Sequence, residues 1–157
     1  MAVIELETYI AAPPARCYGL ALDVGAHLAS TADTGERVVA GRQAGQLELG
    51  EVITWEARHL GMRQRLTVQI TAAEPPRYFR DEMRRGAFRS LCHEHFFEAR
   101  EDGRATLMRD RFAFESPGGT VGRWFNRLYL TAYMTRFLEA RNQALKRAAE
   151  AAGSGSG

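Results

Sequence analysis

FRSLCHEHFFEAREDGRATLMRDRFAF, Phe88 to Phe114, is the stretch on which the fold turns. Two alternating runs, Phe88–Ala99 and Arg104–Phe114, flank Asp102-Gly103, a pair that favours the positive φ angles of a tight hairpin turn. A two-residue turn there sets Glu101 opposite Arg104. It then sets Phe97 opposite Met108, His95 opposite Asp110, and His93 opposite Phe112. One face of the predicted hairpin carries Leu91, His93, His95, Phe97, Met108, Asp110, Phe112 and Phe114. The other pairs Glu94 with Arg111, which suits water. An apolar face interrupted by two histidines and an aspartate has the composition of a cavity wall.

Working outward, the same reading extends to both ends of the chain. Val3–Ile10 alternates as a strand. Pro13-Pro14 open a helix, where a missing N–H costs nothing. Ala15–Ala21 and Val24–Ala29 predict two short helices broken near Asp23. Turns at Gly41 and Gly45 punctuate one or two short strands in 34–49. Leu49–Ala57 and Met62–Thr71 alternate about Leu60-Gly61. A two-residue turn pairs Trp55 with Leu66 and Ile53 with Val68, matching the apolar faces. Tyr78–Arg84 is a further strand with two possible registers. A two-residue loop turns Tyr78, Arg80 and Glu82 toward the histidines. A three-residue loop turns Phe79, Asp81 and Met83 there, and is preferred because it buries the apolar set.

After Ser116-Pro117-Gly118-Gly119 the pattern predicts one long helix, about Val121–Ala151. Val121, Trp124, Phe125, Leu128, Ala132, Thr135 and Leu138 share a broad face, read as the inward one. Leu130, Met134 and Phe137 lie elsewhere, which suggests a loop covering them or a homodimer contact. About seven antiparallel strands and this helix make an α+β domain over residues 1–152. The helix must cover the apolar face of a curved sheet. Gly153–Gly157 reads as a flexible linker.

At 157 residues the chain is long enough for one domain with a substantial core. A net charge of +2, with no dense basic block among aromatics, argues against nucleic acid. No apolar run reaches the length of a membrane span and no leader is evident, so a cytoplasmic location is expected. Cys17 and Cys92 fit reduced thiols.

Several motifs resemble the START/Bet v 1-like helix-grip superfamily, of the bacterial polyketide cyclase/dehydrase and lipid-transport type. They are Ala11-Ala12-Pro13-Pro14, Asp23-Val24, Gly50 to Trp55, and Pro75-Pro76-Arg77-Tyr78-Phe79. Closest to one ligand-binding branch are Asp81-Glu82, Arg85-Gly86-Ala87-Phe88, Leu91-x-His93-x-His95-x-Phe97 and Thr106-Leu107-Met108-x-Asp110-Arg111. Leu91 stands where that branch has tryptophan. The resemblance implies a hydrophobic cavity between the sheet and the C-terminal helix, a small hydrophobic ligand, and no cofactor. It does not imply one activity.

On this reading the ligand-binding residues are Trp55, Leu66, Val68, Leu91, His93, His95, Phe97, Met108, Asp110, Phe112, Trp124, Leu128 and Tyr129. Asp110 accepting from His95 would fix the tautomer of the ring, making His95 a ligand anchor or a general base in a cyclase or dehydratase reaction. The same pair would also serve as a satisfied core contact. His93, His95 and Asp110 have the composition of a two-histidine, one-carboxylate metal site, although nothing else in the chain suggests a metal. Tyr129 and Tyr133 offer hydroxyl handles. Arg63, Arg65, Arg84, Arg85 and Arg89 read as a solvated face.

Overall fold

The structure, a computed structural model, describes residues 1–116 and 123–153. In chain order it has β1 (Ala2–Ile10), α1 (Pro14–Leu22), α2 (Val24–Ser30), β2 (Arg37–Ala40), β3 (Val52–His59), β4 (Met62–Glu74), β5 (Tyr78–Arg85), β6 (Ser90–Arg100), β7 (Ala105–Glu115) and α3 (Arg123–Gly153). The strands form one antiparallel sheet in the order β1-β7-β6-β5-β4-β3-β2. α3 packs against β1, and both α1 and α2 pack against α3. This is the α+β helix-grip architecture.

Local chemistry sets the elements. Pro13 caps α1 and Pro14 begins it. Asp23 ends α1, and its carboxylate accepts from the Ala26 N–H at 2.8 Å to cap α2. Leu60 and Gly61, at φ 53° and 75°, close the β3–β4 hairpin in two residues. Trp55 therefore pairs with Leu66 and Ile53 with Val68, as the pattern predicts. At Gly41 any side chain would place Cβ 2.7 Å from the Val52 carbonyl, so only glycine fits.

The β6–β7 register is the expected one: Phe97 with Met108, His95 with Asp110, and His93 with Phe112. The turn differs. The last ladder pair is Arg100–Ala105, and Glu101 joins Asp102 and Gly103 at positive φ. The link is thus a four-residue loop, with Arg104 N–H bonded to the Glu101 carbonyl at 3.2 Å. β5 turns Phe79 and Asp81 to the histidine face, pairing them with His95 and His93. That pairing ends at Glu82–Cys92, so the connection is longer than three residues.

The interior has two apolar clusters. One gathers Ile10, Tyr18, Ile53, Phe79, Phe97 and Met108 under α1. The other gathers Ile4, Leu91, Phe112, Phe114, Met134 and Leu138 under the first half of α3. Along β6 and β7, His93, His95 and Asp110 occupy the seam between them.

The inward face of α3 corrects the expectation. Leu138 is buried as that face requires, but Leu128 is 55% exposed and Tyr129 49%, and Met134, Asn142 and Ala149 are buried in their place. The side chain of Trp124, with Val121 and the 117–119 turn, lies outside the described residues. The helix begins apolar on nearly every side, so periodicity alone offered two competing stripes. Asn142 and Ala149, further along, continue the stripe begun by Leu130 and Met134, and the sheet binds that one.

Candidate functional site

At the seam, three strands and α3 deliver one polar network. Asp110 on β7 is 3% exposed and meets three side-chain nitrogens. His93 Nε2 donates to its Oδ1 at 2.9 Å, His95 Nδ1 lies 3.2 Å from the same oxygen, and Asn142 Nδ2 donates to Oδ2 at 2.7 Å. The other nitrogen of His95, Nε2, meets Asp81 Oδ1 at 3.0 Å. His95 stacks on Phe79 at 4.1 Å and on His93 at 3.8 Å, and Phe112 sets its edge against His93.

The charges follow from these contacts. Burial opposes ionisation of Asp110, but the two imidazoles outweigh it and hold its carboxyl well below the ordinary range. Burial likewise works against the charged form of His95, yet the bonds to Asp110 and Asp81 raise its pKa above 6.5. A carboxylate beside each nitrogen favours the charged form of His95. Burial, together with the neighbouring His95 charge, pushes His93 down to about 4. His93 is therefore neutral near pH 7. Its Nε2–H points to Asp110, which leaves Nδ1 as an acceptor with no hydrogen-bond partner among the described residues.

A cavity of about 290 Å³ lies between the sheet and α3. Trp55, Leu66, Val68, Leu91, His93 and Phe112 line it. Phe97 and Met108 do not: Phe97 packs edge-on against Tyr18 in the apolar cluster to which Met108 also belongs. His95 and Asp110 stand behind His93 rather than on the wall. The imidazole nitrogen available at the cavity is therefore on His93, not on His95. Leu128 and Tyr129 are excluded by their exposure. Leu130, Met134 and Phe137, expected beneath a loop or at a dimer contact, face the cavity instead.

Several polar groups on the wall were not anticipated as site residues. Asp81 was placed on the correct face but given no role. His59, given no role by its place in a turn, sets Nδ1 2.7 Å from the hydroxyl of Tyr133, the expected tyrosine handle, and burial lowers the His59 pKa. His27 stacks on Trp55 at 4.1 Å, with Glu36 beside it, and Arg141 reaches the wall from α3. Only the docking of α2 and α3 on the sheet brings these groups together, and no local spacing encodes that docking. Of the arginines, Arg63 and Arg65 flank Glu56 and Arg84 bonds Gln69, and Arg65 also borders the cavity.

Asp81, His93 and His95 place one potential ligand atom each within 4.8 Å of one another. Asp81 thus stands where the anticipated metal trio had Asp110. No helix among the described residues is long and apolar enough to cross a membrane.

A curved sheet gripping a long helix, with a mainly apolar cavity and a few inward polar groups, defines a helix-grip ligand-binding fold. The chain belongs to the polyketide cyclase/dehydrase and lipid transport family, whose pattern matches residues 1–150. No curated protein matches it by sequence. Among solved structures it is similar to TTHA0849 from Thermus thermophilus, with 21% identity over 96% of this chain and 99% of that one, at a TM-score of 0.78. It is also similar to the ZhuI aromatase/cyclase from Streptomyces sp. R1128, with 16% identity over 95% and 93% of the chains and a TM-score of 0.74. A START superfamily protein from Mycobacterium smegmatis gives 13% identity over 94% and 97%, at 0.69. At these identities the likeness concerns the fold.

Proposed function

We propose that this protein binds a small, mainly apolar ring compound between the sheet and α3, with His93 as its polar anchor. The observation that carries this reading is the apolar cavity of about 290 Å³ with a neutral imidazole on its wall. That volume lies at the lower end of small-molecule sites, roughly 300–1,000 Å³. It suits one or two rings better than a long acyl chain. Apolar walls supply affinity at about 25 cal/mol per Å² buried. His93, fixed by Asp110 and Asn142, supplies direction by accepting from a hydroxyl or amide of the guest. The named aromatase/cyclase among the structural neighbours supports a ring-bearing guest.

Native mass spectrometry, followed by solvent extraction of whatever co-purifies, tests this. A bound ring compound should be released, and adding it back at 100 times Kd should stabilise the protein by about 2.7 kcal/mol. Recovery of the same compound from Val68→Phe protein, in which the cavity is filled, would refute the reading.

One observation favours a second reading, proton transfer. His93 has a carboxylate on one nitrogen and leaves the other uncommitted, which is the arrangement of a general base. An enzyme of this kind loses turnover in His93→Phe while still binding its substrate. Equal turnover in that variant excludes it.

A further inference from the structure

Glu36 and His27 sit on the same cavity as His93 but on its far side, beside Trp55 of β3. β3 is three strands from β6, about 14 Å across the sheet. The Glu36 side chain is 9% exposed, and its Oε2 is buried without a hydrogen-bond partner. His27 Nε2 lies 3.1 Å from Glu36 Oε1 but off the line of a hydrogen bond, and it too is buried without one. Two orphaned polar atoms on one cavity wall are costly unless something else satisfies them.

From this geometry we propose a second recognition point, Glu36 with His27, that takes a hydroxyl group on an otherwise apolar, uncharged ligand. The inference rests on the cavity-binding reading above and specifies its guest. Burial works against the Glu36 carboxylate, but His27, Thr31 and the charge of Arg141 outweigh it, so the group stays ionised. An anionic guest would meet Glu36 and Asp81, both lining the cavity. A cationic guest would meet Arg141 on the same wall. A hydroxyl avoids both conflicts: its O–H donates to Glu36 Oε2, and its oxygen accepts from an N–H of the wall.

Three probes of nearly equal shape test this: 2-naphthol, naphthalene and 2-naphthoate, titrated by calorimetry or fluorescence. The wild-type protein should bind 2-naphthol at least about tenfold more tightly than naphthalene, with 2-naphthoate weakest. In Glu36→Leu the naphthol preference should fall to within about twofold while naphthalene still binds. Should Glu36→Leu not fold, Glu36→Gln, which keeps an acceptor but loses the charge, should show a reduced preference. Equal wild-type affinity for naphthol and naphthalene overturns this inference while leaving an apolar binding cavity standing. So does a preference that survives Glu36→Leu, or one undiminished in Glu36→Gln. If none of the three probes binds, the cavity reading falls with it.

Discussion

Asp110→Asn is the sharpest perturbation of the seam. The side chain is nearly isosteric, so packing is preserved, but the carboxylate accepts from His93, His95 and Asn142 at once. An amide in its place turns an N–H toward at least one of those donors. It also leaves the His95 imidazolium with Asp81 as its remaining counter-ion. Breaking a buried charge pair of this kind costs about 3–5 kcal/mol. For a chain of this length that lowers Tm by roughly 6–20 °C. The pH dependence carries more information than the size. His95 has a folded pKa above its unfolded 6.5, so its contribution is complete below pH 6.5 and is lost as pH rises through the folded value. Asp110 has a folded pKa below 3.8, so its contribution is present above that pH and lost as the solution is acidified through the folded value. The gap between wild type and variant should therefore be widest near pH 5–6 and should narrow in alkali. Urea melts of both proteins from pH 4 to 10 measure it. A loss below about 1 kcal/mol at pH 6, or a gap that widens toward alkali, would refute the charged-His95 network.

Wild-type stability should peak near pH 6.5. Below that, the unfolded chain protonates His93 while the folded one resists down to about 4, a loss of roughly 3 kcal/mol that His93→Phe should abolish in the same melts. Val68→Phe should keep the fold within about 1.5 kcal/mol and weaken ligand binding more than tenfold, because the new ring occupies the void rather than a filled core. Phe97→Ala should do the reverse, costing about 3–5 kcal/mol with ligand affinity little changed, since Phe97 packs with Tyr18 away from the cavity. Leu128→Glu should alter stability by less than about 0.5 kcal/mol, whereas Leu138→Glu, 2% exposed in the parent, should prevent folding; thermal scans separate the two.

What was legible in the chain, and what was not, follows from the range of the interactions. Between neighbouring strands the period of two leaves no choice once a turn is located. Asp102-Gly103 and Leu60-Gly61 therefore carried the His95–Asp110 and Trp55–Leu66 pairings correctly, even though the first turn is longer than expected. Asp81 could be assigned to the histidine face by the same alternation. The α3 stripe could not, because Leu128 and Leu130 are equally apolar and only the sheet chooses between them. The His27–Trp55 stack and the His59–Tyr133 contact join residues 28 and 74 positions apart through helix docking. The seam itself misled in one respect. An inward side chain need not face the void: at His95 the space is already occupied by Phe79 and His93.

The bond from Asn142 to Asp110 crosses the interior from helix to sheet, next to greasy, interchangeable side chains such as Met134 and Leu138. Apolar contacts tolerate sliding and rolling; an amide seated on a carboxylate oxygen 2.7 Å away does not. Asn142 thus acts as a dowel that fixes the rotational setting of α3 whatever lines the chamber on either side. A protein engineer could then recut the chamber, exchanging Leu66, Val68 or Met134 for residues of other sizes to admit a different guest, and expect the helix to stay where it is.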